Sequence, residues 1–124
     1  MENEADSIAN DIRQWAYDAD APEPQQDFDL FLAMELRKAY FDFVSDITCP
    51  KQKYFLKVLY LIVGDAVRTE YHTNTREEIN EFLEAANKLQ VKELELWIDK
   101  SRNLMKHPEK FDYDRWCGGG LVGE

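Results

Sequence analysis

The sequence predicts an all-α fold, about five helices in a helical bundle ending in an irregular, glycine-rich tail. Three observations lead there. Apolar residues return at intervals of three and four in successive stretches of the chain. No stretch keeps the apolar-polar alternation of a half-buried strand. Thr75 with Glu78 has the spacing of a capping box, in which the threonine oxygen accepts from the third helical amide and the glutamate reaches back.

Taken in order, Ile8, Ile12 and Trp15, with Ala5, Ala9 and Ala16 between them, define a first helix of roughly residues 5 to 18. Pro22 and Pro24 then bias their predecessors toward extended backbone, so the stretch from Asp18 to Gln26 is an acidic loop. Asp27 is placed to cap a second helix running to about Val44. Phe28, Phe31, Leu32, Leu36, Ala39, Tyr40 and Phe43 keep to one of its faces.

Thr48-Cys49-Pro50 reads as the start of a third helix, because proline at the first helical position gives up no useful donor. From Tyr54 to Val67 nearly every residue except Lys57 and Asp65 is apolar or small, which predicts a helix buried on more than one side at the centre of the fold. Gly64 costs that helix about 1 kcal/mol relative to alanine, a cost that a close crossing by a neighbour would explain.

The fourth helix starts at the Thr75 cap and buries Ile79, Phe82, Leu83 and Ala86. Leu94, Trp97, Ile98, Ser101, Leu104 and Met105 form a second stripe, out of phase with the first across Asn87 to Val91, which predicts two helices with a tight break. The competing reading is one helix over residues 76–106, roughly 46 Å long and out of scale with so small a domain. His107-Pro108 ends the helical pattern. Phe111, Tyr113 and Trp116 are expected to fold the first half of the tail back on the domain, with Gly118 to Gly120 acting as a swivel. Helix pairs joined by short turns are also compatible with a HEAT-like or armadillo-like αα stack. The chain is read as one domain over 1–124, with an acidic two-helix part (1–47), a helical core (48–107) and the tail (108–124).

Charge is unevenly spread. The formal net charge is -10, and residues 1–47 hold 12 of the 25 acids but only 3 of the 15 bases. Such a surface repels phosphate backbones, so nucleic acid is not an expected partner. Cys49 and Cys117 are too few and too far apart for a disulfide framework or a CxxC motif, and are read as reduced thiols. The first eleven residues carry four acids and no apolar core, unlike a signal or transit peptide. The longest apolar run, Val58 to Val63, is far short of the roughly 20 residues of a membrane span. The expected setting is cytoplasmic, with no membrane partner.

Motifs for common chemistry are missing. The sequence has no GxxxxGK[ST], no GxGxxG and no GxSxG, and its two histidines, His72 and His107, make neither HExxH nor Glu-x-x-His. No cofactor and no metal are expected. The acids Asp18, Asp20, Glu23, Asp27 and Asp29 supply the oxygen ligands a hard cation needs but lack the central glycine and closing glutamate of an EF-hand loop, so they are read as a solvated loop. Cys117 beside the glycines has no electropositive neighbourhood in sequence to make it a nucleophile. Asp65, Arg68 and His72 form the one polar constellation on the apolar third helix, at offsets of three and four along one face. Buried, they could bind an anion through Arg68 or do acid-base work. Solvated, they are an ion pair and a loop histidine.

Three functional readings follow. The first is a non-enzymatic interaction module whose acidic face, with the loop acids named above, meets a basic protein partner by electrostatic steering. The second is a small-ligand binder or enzyme built on Asp65, Arg68 and His72, beside aromatics such as Tyr40, Tyr71 and Trp97. The third is a homodimer completed by the apolar third helix or by Leu121 and Val122.

Overall fold

The computed structural model describes residues 12–20 and 37–122. Residues 12–16 are helical and are labelled α1. They are followed by α2 (Arg37–Ser45), α3 (Gln52–Arg68), α4 (Arg76–Asn87) and α5 (Lys92–Lys106), then a 3-10 turn (Pro108–Lys110) and the short α6 (Tyr113–Trp116). No strand occurs among the described residues, and the fold is all-α. Ile8, the proposed Asp27 cap, and Phe28, Phe31, Leu32 and Leu36 lie outside the described residues.

α3 is the axis of the molecule, packed against α2, α4, α5 and α6. Eleven of its residues are buried, including the whole run from Val58 to Gly64. An apolar helix of this kind hides its surface only when neighbours cover it all round. α2 is wedged between two layers. Tyr40 and Phe43 meet Phe55 of α3 at ring-centroid distances of 4.9 and 4.6 Å, while Phe41 turns the other way onto Phe82 and Trp97. Phe41 falls outside the stripe read from the sequence, yet it is as buried as its neighbours because α2 is covered on both flanks.

The ends of the helices follow local chemistry. α3 begins at Gln52, two residues later than a proline at its first position would set it, with Pro50 and Lys51 in the preceding turn. The side chain of Gln52 donates to the carbonyl of Val44 (2.6 Å), closing the C-terminus of α2. α3 ends in a Schellman arrangement: the amide of Tyr71 donates to Ala66 and that of Glu70 to Val67. Glu70 (φ 55°) and Tyr71 (φ 65°) both take positive φ there without a glycine.

The capping box of α4 is complete: Glu78 N donates to Thr75 Oγ1 (3.1 Å) and Thr75 N to Glu78 Oε1 (3.3 Å). α4 and α5 are separate helices, turned by residues 88–91 with Gln90 at φ 54°. Arg102 on α5 reaches back to Glu84 on α4 at 2.7 Å. The buried residues of α4 and α5 are the predicted stripes.

The tail docks. Asp112 caps α6 by accepting from Arg115 N, and Trp116 sits edge-on to Tyr60 at 5.5 Å. Trp116, Cys117 and Leu121 join the core, Phe111 is half-buried and Tyr113 stays exposed. Gly118 and Gly120 donate to the carbonyls of Tyr113 and Asp114, so the glycines expected to swivel form a turn wrapped back on α6. The close crossing implied by Gly64 is made by this segment, since a Cβ on Gly64 would lie 2.8 Å from Trp116 Cβ.

Candidate functional site

The trio on the third helix is only partly assembled. Asp65 and Arg68 lie one turn apart on α3, and Arg68 donates to Asp65 Oδ1 from Nη2 (3.0 Å) and Nε (3.2 Å). The Arg68 side chain is 44% exposed, which makes this a solvated helical pair of small energetic weight. His72 lies beyond the Schellman turn, exposed, with Nδ1 donating to the carbonyl of Thr69. The turn takes it off the α3 face, so the spacing of four no longer describes a helix.

The third group at the pair is instead Cys117, whose Sγ donates to Asp65 Oδ1 at 3.7 Å. Burial, then the Asp65 charge and hydrogen bond, push this thiol from its ordinary 9.0 up to about 11. At neutral pH it is therefore protonated and a poor nucleophile. Tyr40 and Trp97 are core rings, engaged with Phe55 and Phe82 rather than facing a ligand space beside the pair. Tyr71 is half-buried in the turn.

The acids of the N-terminal part give a better-built feature. Tyr17 OH donates to Asp46 Oδ2 at 2.7 Å, Cys49 Sγ to the carbonyl of Ala16, and Lys51 Nζ to the carbonyl of Asp18. These three contacts set the turn of residues 17–20 against the corner between α2 and α3. Lys51 is buried there, its ammonium 4.8 Å from the centre of the Trp15 ring.

Asp46 itself accepts from Thr48 Oγ1 (2.6 Å) and Thr48 N (2.9 Å) besides Tyr17. These hydrogen bonds, Thr48's hydroxyl first, hold its carboxyl below the ordinary range, so it carries a fixed negative charge. The same bond to Asp46, followed by burial, raises the Tyr17 phenol to about 12. Asp18 Oδ1 accepts from Asp20 N at 3.0 Å, which tightens the turn. Tyr17 and Ile47 are exposed beside these acids, Ile47 at 84%.

Of the five nominated loop acids, Asp18 and Asp20 thus reach the corner, while Glu23, Asp27 and Asp29 lie outside the described residues. Asp46 and Tyr17 were missed. The Asp-x-Thr pattern at residues 46–48 is a signal for a local side-chain turn, but nothing in the spacing links it to Tyr17.

No protein-family model, curated protein or solved structure matches this chain. Among the described residues no group of three or more His, Cys, Asp or Glu side chains is arranged to hold a metal ion. No helix among them is long and apolar enough to cross a membrane.

Proposed function

We propose that this chain is a non-enzymatic interaction module that receives a basic, partly apolar segment of a protein partner at the α1–α2–α3 corner. One observation carries the reading: the 17–20 turn, which bears Asp18 and Asp20, docks on the α2–α3 corner, where Tyr17 bonds to Asp46 and both Tyr17 and Ile47 are exposed. Fixed carboxylates steer a cationic partner and set its register, while an exposed aliphatic and an aromatic ring supply apolar contact. The uneven charge of the sequence supports the same direction, since most of the net -10 resides in residues 1–47. The solvated Asp65–Arg68 pair and the displaced His72 offer less to an enzyme. A homodimer through α3 or Leu121 has little surface to use, because both are already buried within the chain.

The test compares retention of proteins by the immobilised chain at low and high salt for four forms: the natural sequence, D18N/D20N, I47S, and E77Q/E81Q on the far helix α4. Asparagine at 18 keeps an acceptor for the Asp20 amide, so the turn survives. The expected result is a basic protein retained at low salt by the natural and E77Q/E81Q forms and lost by the other two. Equal retention by all four, or equal loss in E77Q/E81Q, or no basic protein retained at all, would overturn the reading.

A further inference from the structure

Lys51 is only 4% exposed, although lysine is almost always a surface residue. It stands in the turn before α3, and the two groups that meet its ammonium both come from the N-terminal segment. The carbonyl of Asp18 accepts from Nζ, and the Trp15 ring centre lies 4.8 Å away. A buried ammonium is costly to desolvate, and a carbonyl oxygen together with the face of an indole offsets that cost. Packing alone does not call for lysine here, because methionine has a similar length and no ion to desolvate.

What the charge adds is position. Asp18 follows the end of α1, and its side chain accepts from the Asp20 amide, so the carbonyl that Lys51 holds belongs to the turn that carries both carboxylates. A lysine that donates to carbonyls at a helix end fixes the way the chain leaves it. Tyr17 ties the same turn to Asp46 at the surface, and Lys51 ties it from beneath.

We propose that Lys51 is the positioning residue of the acidic corner: its ammonium fixes the turn of residues 17–20, and with it the direction of the Asp18 and Asp20 carboxylates, for a basic, partly apolar segment. The inference rests on the proposed function and deepens it. Its consequence is opposite in sign to that of charge counting. Removing this cation makes the net charge of -10 one unit more negative, so attraction alone predicts tighter binding of a basic peptide. Loss of position predicts weaker binding, because the carboxylates must then be ordered as the peptide binds.

The probe is a fluorescently labelled peptide that repeats lysine-lysine-leucine three times, titrated by anisotropy into the full chain and its K51M, K51R and D18N/D20N forms. Expected is binding by the natural chain that added salt weakens. K51M and D18N/D20N should each bind about fivefold more weakly or worse, as the loss of a preorganised site predicts. K51R should stay within about twofold of the natural chain, since a guanidinium also donates to a carbonyl and stacks on an indole. In K51M the amide resonances of residues 17–20 should move while those of α4 and α5 stay, which separates local displacement from unfolding. K51Q takes the place of K51M if the latter does not fold. Binding by K51M equal to or tighter than that of the natural chain, with D18N/D20N impaired, would overturn the role of Lys51 and leave the corner as a peptide site. K51R as weak as K51M would also overturn it, by tracing the effect to shape rather than charge. Equal binding by the natural and D18N/D20N forms, or none by either, would overturn the inference together with the corner as a peptide site.

Discussion

At Gly64 an added methyl would meet Trp116 Cβ at 2.8 Å, an atom tied to the backbone of α6 and unable to swing aside. Alanine gains about 1 kcal/mol of helix propensity at an unhindered site, whereas overpacking a filled core costs about 1–3 kcal/mol. G64A is therefore expected to lower stability by about 1 kcal/mol, read as a lower urea midpoint, where alanine in an exposed helix would raise it. Cys117 and Tyr17 make a second prediction at this scale. Their folded pKa values, about 11 and about 12, lie above the ordinary 9.0 and 10.0. Between those limits the unfolded chain has released protons that the folded chain still holds, so stability falls as pH rises. Denaturation curves measured from pH 8 upward should show this decline. C117A should flatten the part between about 9 and 11, and Y17F the part between about 10 and 12.

The two ends of the α3–α4 connection are built from opposite kinds of signal. Thr75 and Glu78 satisfy the first amides of α4 with side chains whose identity announces the function. The C-terminus of α3 is closed by a Schellman pair of backbone bonds, assisted by the Thr69 hydroxyl donating to the Asp65 carbonyl, and the C′ position that favours glycine is held by Glu70 at φ 55°. A left-handed conformation costs a residue with a Cβ roughly 1–2 kcal/mol, part of which glycine returns to the unfolded chain as entropy. E70G is thus expected to raise stability by about 0.5–1 kcal/mol with the helix content unchanged, checked by urea denaturation and far-ultraviolet circular dichroism. A fall in stability would mean that the Glu70 side chain contributes more than its backbone conformation costs.

On the scale of the molecule, the tail is part of the core rather than an appendage. Trp116 covers Tyr60 and the Gly64 notch of α3, and Leu121 is buried in the turn that follows α6. Truncation of a buried tryptophan to alanine typically costs about 3–5 kcal/mol, a large fraction of a small domain's stability. W116A is expected to fall at the lower end, about 3 kcal/mol, because the short α6 can detach rather than leave a sealed cavity. Hydrogen exchange distinguishes the two: the amides of Cys117, Gly118, Gly120 and Leu121 should lose protection while those of α4 and α5 keep theirs. Uniform loss of protection would show instead that tail and bundle unfold as one unit.

Much of the helical framework was legible because helical burial is periodic and local. The stripes of α4 and α5, the break at residues 88–91, the all-round burial of α3 and the crossing at Gly64 all follow from spacing, side-chain size and capping chemistry. Where the chain doubles back, that logic stops. Phe41 is buried because two layers flank α2, and His72 leaves the face it shared on paper because α3 ends in a turn that no glycine marks. Cys117 meets Asp65 across 52 positions and Tyr17 meets Asp46 across 29. By itself, then, the sequence determined an all-helical chain with its central helix and its acidic N-terminal part. Which polar groups stand together, Cys117 with Asp65 and Tyr17 with Asp46, was decided only by tertiary packing, because contacts between distant segments depend on how helices cross and leave no period in the chain.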